Sequence, residues 1–121
     1  MNTTTNRNAH YCPNPQNADA QVQAEFADLV VRATQGDRRA VGAIAAAFGP
    51  VLLREARAVL GPFKQDDEDV VQDFFLSLLE GRSRYVPSQG RAAEWMRGVV
   101  RAMAKTHRKE REREWDIEGE P

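Results

Sequence analysis

The amino-acid sequence predicts an all-α fold, a compact bundle of about four helices. Apolar residues recur at steps of three and four positions in several segments, the spacing that gathers side chains on one face of a helix. No segment alternates apolar and polar residues as a strand does, and the sequence contains no Asn-Gly hairpin turn. With 121 residues, of which 41% are apolar and 29% charged, the chain has the size and balance of one folded domain.

The beginning of the chain is predicted to be a flexible tail over residues 1–21, because it is rich in Asn, Thr and Pro and offers little for a core. Helical periodicity begins near Val22 and ends at Gly36, which suits a left-handed helix C-terminus. These residues start a helical domain predicted over residues 22–113. An acidic C-terminal tail is predicted over residues 114–121.

The second periodic segment follows Asp37, a residue type that caps helix N-termini. Pro50 falls inside this segment and lacks a backbone donor. The sequence therefore permits either two helices or one long helix kinked near Gly49 and Pro50. A loop is expected at residues 61–65, where Gly and Pro are adjacent.

The third helix, capped by Asp66 or Asp67, has an unusual charge pattern: residues 66–80 contain six acids and no base. Acids in its first turn complement the positive end of the helix dipole. Its inward side is predicted to consist of Val70, Val71, Phe74, Phe75, Leu78 and Leu79. Its outward side, called here the acidic face, consists of Asp69, Gln72, Asp73 and Leu76.

The last helix is predicted from Glu94 to about residue 113 and is basic, with seven bases and three acids in residues 97–114. Its inward side is predicted to consist of Trp95, Met96, Val99, Val100 and Met103. Four bases recur at helical spacing opposite this apolar stripe, and a fifth lies beside them. This set, called here the basic row, consists of Arg97, Arg101, Lys105, Arg108 and Lys109.

The basic row predicts salt-dependent binding to the phosphates of a nucleic acid, and the alternative is a solvated outer face. The preceding loop adds an aromatic ring and polar groups of the kind that hold single-stranded bases: Tyr85, Ser88, Gln89 and Arg91. Tyr85 can equally pack over the helix ends as part of the core. Composition alone leaves both interpretations of Tyr85 open.

Signs of catalysis, metal binding or membrane insertion are sparse. There is no Gly-rich phosphate loop, His-Glu-x-x-His motif or nucleophile elbow, so neither an enzyme nor a cofactor is predicted. Carboxylates at 66–69 would point in different directions, and His10 with Cys12 lacks further ligands, so no metal site is expected. The single cysteine allows no internal disulfide. Without an apolar span or a signal peptide, a cytoplasmic protein with no membrane partner is expected.

Three segments together resemble region 2 of bacterial sigma factors, most closely the extracytoplasmic-function group. They are LVVRATQGDRRAVGAI, DDEDVVQDFFLSLL and RYVPSQGRAAEWMRGVVRAMA, in the order and approximate spacing of that family. The resemblance covers about Phe26 to Arg113 and includes the spacing of Pro87, Gly90 and Trp95. It implies an all-α transcription initiation factor rather than an enzyme.

The resemblance also implies two partners and the surfaces that meet them. The acidic face matches the surface that docks on the clamp helices of the largest subunit of core RNA polymerase. Tyr85 stands where the family commonly has an aromatic residue in the loop that captures a flipped base of the promoter minus-ten element. The basic row corresponds to the helix that meets this single-stranded region, where stacking and hydrogen bonds hold an unpaired base.

The sequence departs from the family pattern in its last helix and in its length. Ala102 stands where many relatives have an Asn that helps to line the base pocket, and Thr106 where they have Asp or Asn. Ala102 offers no hydrogen bond, so phosphate contacts are expected more than sequence-specific ones. The region 4 domain, which reads the minus-thirty-five element, does not follow. The chain is then a fragment, a split sigma subunit needing a region 4 partner, or a module that titrates polymerase or an anti-sigma factor.

Overall fold

The computed structural model describes the backbone of residues 15–119 and the side chains of residues 23–115. Its four α-helices are α1 (Pro15–Thr34), α2 (Arg38–Leu60), α3 (Asp67–Leu79) and α4 (Ala92–Gly119). Two short 3-10 helices, Gly61–Asp66 and Pro87–Gln89, precede α3 and α4. No strand occurs between residues 15 and 119, and the predicted all-α fold is confirmed.

Helix α1 begins at Pro15 rather than near Val22, so the predicted boundary of the tail was wrong for residues 15–21. Proline suits the first turn of a helix, and the Ala and Gln residues that follow favour helix without forming an apolar stripe. The rest of the predicted tail, residues 1–14, lies outside the described residues. Helix α1 ends at Thr34, and Gly36 just beyond it has the predicted left-handed conformation, with a φ of 91° and the Asp37 N–H donating to the Arg32 carbonyl.

Helix α2 is a single helix of 23 residues with Pro50 inside it, which decides between the two alternatives left open by the sequence. Asp37 caps it as predicted, because its Oδ1 accepts hydrogen bonds from the N–H groups of Arg39 and Ala40. Pro50 is exposed, so its ring displaces no core side chain. The missing backbone bond is tolerated because it lies on the solvent side of the helix.

The segment expected as a loop at residues 61–65 is a 3-10 helix that buries Phe63. Gly61 has a φ of 59°, a conformation that favours glycine, and a Cβ atom there would lie 3.0 Å from Arg108 Nη1 at the end of a flexible side chain. Asp66 occupies the predicted N-cap position of α3. The side chain of Asp66 makes no capping bond. Asp67 Oδ2 accepts a hydrogen bond from Arg57 Nε, and Asp67 Oδ1 accepts one from the Glu68 N–H at 2.8 Å.

The core lies around α2, which contacts each of the other three α-helices. The inward side of α3 is buried at Val70, Val71, Phe74 and Leu78, as its periodicity predicted. Ser77 is buried beside them and donates to the Phe74 carbonyl. The largest fully buried side chains include Val30, Ile44, Leu52, Leu60, Met96 and Val100. The helices are therefore held by one continuous apolar core.

Helix α4 is longer than predicted in both directions, since it starts at Ala92 and continues to Gly119. Its buried residues among the described side chains are Ala92, Met96, Val100 and Ala104, and Trp95, Val99 and Met103 are packed against the core. Residues 114–119 of the predicted acidic tail belong to this helix.

Candidate functional site

The acidic face is exposed along α3, while the opposite side of the helix is buried. Asp69, Gln72 and Asp73 are all exposed, and Leu76 is 49% exposed among them. An exposed leucine surrounded by carboxylates and an amide is a feature of protein-binding surfaces, where an apolar anchor lies within a polar rim. The structure thus brings all four predicted residues of this face onto one surface.

Arg82 neutralises part of this surface from the loop that follows α3. Its guanidinium donates to Glu80 at 2.7 Å and lies 3.5 Å from Asp73 Oδ1. The hydrogen bond that Arg82 donates to Glu80, together with the charges of Glu80 and Asp73, raises the pKa of Arg82 above its ordinary value. Arg82 thus offsets the charge of Asp73, and Asp69 retains the more negative end of the acidic face.

An open groove of about 450 Å³ separates α3 from α4 beside the acidic face. Asp69 and Asp73 line one wall, and Ala102 and Thr106 line the other. Thr106 donates its hydroxyl to the Ala102 carbonyl within its own helix, and Ala102 presents only a methyl group. The two positions at which the sequence departs from the family thus face carboxylates across this groove and present no amide side chain to a base.

The basic row lies along the seam between α4 and α2 rather than wholly opposite the core. Glu55 of α2 draws two of its members inward: Arg97 Nε lies 3.2 Å from Glu55 Oε2, and Arg101 Nη1 lies 3.0 Å from Oε1. Lys105 and Lys109 line the continuing groove and form no ion pair among the described residues. The two lysines are the members of the row most accessible to a phosphate.

Arg108 holds the C-terminal end of α2. Its Nη1 donates to the Val59 carbonyl at 3.1 Å, and its Nε donates to Glu112 at 3.1 Å. A cation near the last carbonyls of a helix satisfies an acceptor and complements the helix dipole. Arg108 was predicted as a DNA-binding residue, and the structure gives it a structural contact as well.

Asp66 joins the start of α3 to α4 in a contact that sequence reasoning missed. His107 Nε2 lies 2.9 Å from Asp66 Oδ2, and Arg111 Nε lies 3.5 Å from the same oxygen. The Arg111 guanidinium also lies 5.2 Å from the centre of the Phe63 ring. These residues are 41 or more positions apart in sequence, so no local pattern signals their contact.

Tyr85 packs in the core, which decides between its two interpretations. It is 3% exposed, its ring centre lies 5.3 Å from that of Trp95, and its hydroxyl donates to the Gly90 carbonyl. A ring buried in this way presents no free face for stacking, so the prediction of Tyr85 as a DNA-binding residue does not agree with this packing. Ser88, Gln89 and Arg91 are exposed around it.

Gln89 contributes to the shape of the loop, because its Oε1 accepts a hydrogen bond from the Val86 N–H at 3.1 Å.

In the part of the chain that the structure describes, no group of three or more His, Cys, Asp or Glu residues could hold a metal ion. No helix in that part is long and apolar enough to cross a membrane.

The described helices form an all-α bundle with an acidic, leucine-bearing face on α3, a basic seam between α4 and α2, and a polar loop before α4. The family model of Sigma-70 region 2 matches residues 44–114, which is more than half of the chain, and the protein belongs to this family. No curated protein and no solved structure matches it. The family is one of transcription factors that bind the RNA polymerase core and promoter DNA, not one of enzymes.

Proposed function

We propose that the chain acts as the region 2 domain of a sigma factor of the extracytoplasmic-function group, in transcription initiation. In this proposal α3 docks on the clamp helices of the largest subunit of core RNA polymerase, and α4 with its preceding loop contacts the single-stranded minus-ten region. The observation that supports it best is the exposure of Leu76 within the acidic face, on the helix whose opposite side holds the core.

The acidic face supports the docking role by charge and by shape. Asp69 and Asp73 are exposed one helical turn apart, so both can meet basic groups of one partner helix. Leu76 lies a further turn along and supplies the apolar contact that such an interface needs near its centre. Carboxylates on this surface would also repel DNA, which keeps the nucleic acid on the α4 side.

The DNA-binding role rests on two groups of residues. The basic row supplies the positive charge, with Lys105 and Lys109 outermost and with Arg97, Arg101 and Arg108 in contact with α2. The loop supplies exposed donors from Ser88, Gln89 and Arg91. Tyr85 supports the loop from beneath through its bond to Gly90. Contacts of this kind position a strand by its phosphates and add little sequence information.

The minus-thirty-five element is read, in this proposal, by a region 4 domain outside the described residues, on this chain or on a separate subunit. The described helices form one bundle around α2. A region 2 domain alone would bind polymerase and melted DNA, and promoter selection would depend on the region 4 domain.

The docking role is tested by Asp69→Arg combined with Asp73→Arg. Both residues are exposed, so the fold should persist, while reversal of two charges should weaken binding to core polymerase by more than about tenfold. The matched control is Asp28→Arg combined with Glu114→Arg, which changes the net charge equally on α1 and on α4. Circular dichroism checks the fold and a fluorescence binding titration measures the affinity. Unchanged binding by the first double variant would remove the docking assignment.

A second function is favoured by one observation, that Arg97, Arg101 and Arg108 already have partners within the bundle. In this alternative the domain mimics a sigma factor and titrates polymerase or an anti-sigma factor without sequence-specific DNA binding. Mixing the chain with core polymerase and a minus-ten fork DNA, with and without a region 4 subunit, separates the two. Transcription in any mixture contradicts the alternative, and polymerase binding without DNA contact supports it.

A further inference from the structure

Glu55 is the acid that faces the basic row from α2. Its side chain is 23% exposed, and its two oxygens meet two different guanidiniums, Arg97 at 3.2 Å and Arg101 at 3.0 Å. Arg97 is also approached by Glu94 at 3.7 Å. One carboxylate thus occupies the position between two arginines that a backbone phosphate would occupy on a bound strand.

The contact to Arg97 is one that a phosphate could replace. Arg97 Nε is buried and has no hydrogen-bond partner among the described residues, although it lies at ion-pair distance from Glu55. Its attraction to Glu55 is therefore that of two charges without an aligned hydrogen bond. Arg101 is better aligned, since its Nη1 donates to Glu55, yet its side chain remains 45% exposed and accessible from outside.

The charges around Glu55 suggest a role in affinity rather than in stability alone. Glu55 holds both guanidiniums of α4 with one carboxylate, so the same contacts that join α2 to α4 occupy two members of the basic row. Every carboxylate near the row lowers the number of counterions that DNA releases when it binds, and with it the affinity at low salt. Glu55 is the acid positioned to act on both arginines at once.

We propose that Glu55 is a positioning residue that competes with DNA phosphate for Arg97 and Arg101 and so limits how tightly the domain binds single-stranded DNA. This inference rests on the proposed DNA-binding role of the basic row. It assigns to α2 a direct part in setting affinity, through an intramolecular carboxylate that an incoming phosphate displaces. Duplex or unrelated nucleic acid would meet the same competition, so Glu55 restrains non-specific binding.

The test compares Glu55→Gln with Glu68→Gln on the full chain. Both variants remove one negative charge and keep the size of the side chain, but Glu68 is an exposed residue of the first turn of α3, away from the row. Fluorescence anisotropy with a short labelled single-stranded oligonucleotide measures the affinity across salt concentrations. One additional phosphate contact corresponds to an affinity about fivefold higher near 0.1 M salt. It also makes the slope of log affinity against log salt concentration steeper by about 0.7. We expect these changes for Glu55→Gln, and a change of less than about twofold for Glu68→Gln.

A double-mutant cycle shows whether the effect acts through the arginines. In a background of Arg97→Ala with Arg101→Ala, Glu55→Gln should no longer change the affinity or the salt slope. Glu55→Asp keeps the charge but is one methylene shorter, so it should give an intermediate affinity and serves as a second variant if Glu55→Gln does not fold. Circular dichroism and thermal unfolding check each fold.

The two proposals fail in different ways. If Arg97→Ala with Arg101→Ala leaves affinity and slope unchanged, the DNA-binding role of these arginines is wrong. If that variant weakens binding while Glu55→Gln binds no more tightly than Glu68→Gln, the role of Glu55 is wrong. Tighter binding by Glu55→Gln that persists without the arginines would also overturn it, because the effect would then come from net charge alone.

Discussion

Tyr85 is the most informative single position for mutation. Its burial predicts that its replacement lowers stability strongly and removes no direct contact with DNA. Tyr85→Ala removes a ring that is 3% exposed and packed 5.3 Å from Trp95, centre to centre. Replacement of a buried aromatic side chain by alanine destabilises a protein by about 3 to 5 kcal/mol. For a chain of this length, 1 kcal/mol lowers Tm by about 4 °C. We therefore expect Tyr85→Ala to lower Tm by roughly 12 to 20 °C.

Tyr85→Phe separates the ring from its hydroxyl. The ring stays in the core, and only the hydrogen bond to the Gly90 carbonyl is lost. Gly90 is exposed, so water can replace the hydroxyl, and the loss should be about 1 kcal/mol. Urea unfolding followed by circular dichroism measures both variants, and anisotropy with single-stranded DNA measures Tyr85→Phe, for which we expect unchanged affinity. If Tyr85→Ala folds with the stability of the parent chain and loses DNA affinity, the ring stacks on bases and the core assignment is refuted.

Two further predictions concern helix α2. Pro50→Ala should raise the free energy of unfolding by about 1 to 3 kcal/mol, because an exposed proline in a continuous helix lacks a backbone bond that alanine restores. A less stable variant in urea unfolding would show that Pro50 relieves a bend that α2 needs. Arg108→Met should lower stability by about 1 kcal/mol, because the Val59 carbonyl loses its donor. Lys109→Met, next to it on the exposed side, is the control, and an equal loss for both would contradict the capping role of Arg108.

The parts of the fold that follow from local periodicity could be predicted from the sequence. The division of α3 into a buried and an exposed side was predicted residue by residue, because apolar residues at helical spacing can only be buried together. Ser77 was not foreseen on the buried side. Its hydroxyl is satisfied by the Phe74 carbonyl and Ser83 Oγ, and such bonds give no signal in an apolar pattern.

The contacts between helices could not be predicted in the same way. Glu55 and Arg101 are 46 positions apart, and Arg108 and Val59 are 49 apart, so their pairing depends on how α2 packs against α4. The spacing of the basic row along α4 was predicted, but the row was expected on the side opposite the core. Two of its guanidiniums point instead toward Glu55 of α2. For Tyr85, composition allowed two interpretations, and the burial that separates them is a property of the whole bundle.

The contact of Asp66 with His107 and Arg111 has a mechanical consequence for the two faces. Asp66 immediately precedes α3, and its two partners lie one helical turn apart on α4. A rotation of α3 about its own axis would separate Asp66 from both partners, so these contacts resist that rotation. They therefore tie the orientation of the acidic face on α3 to that of α4.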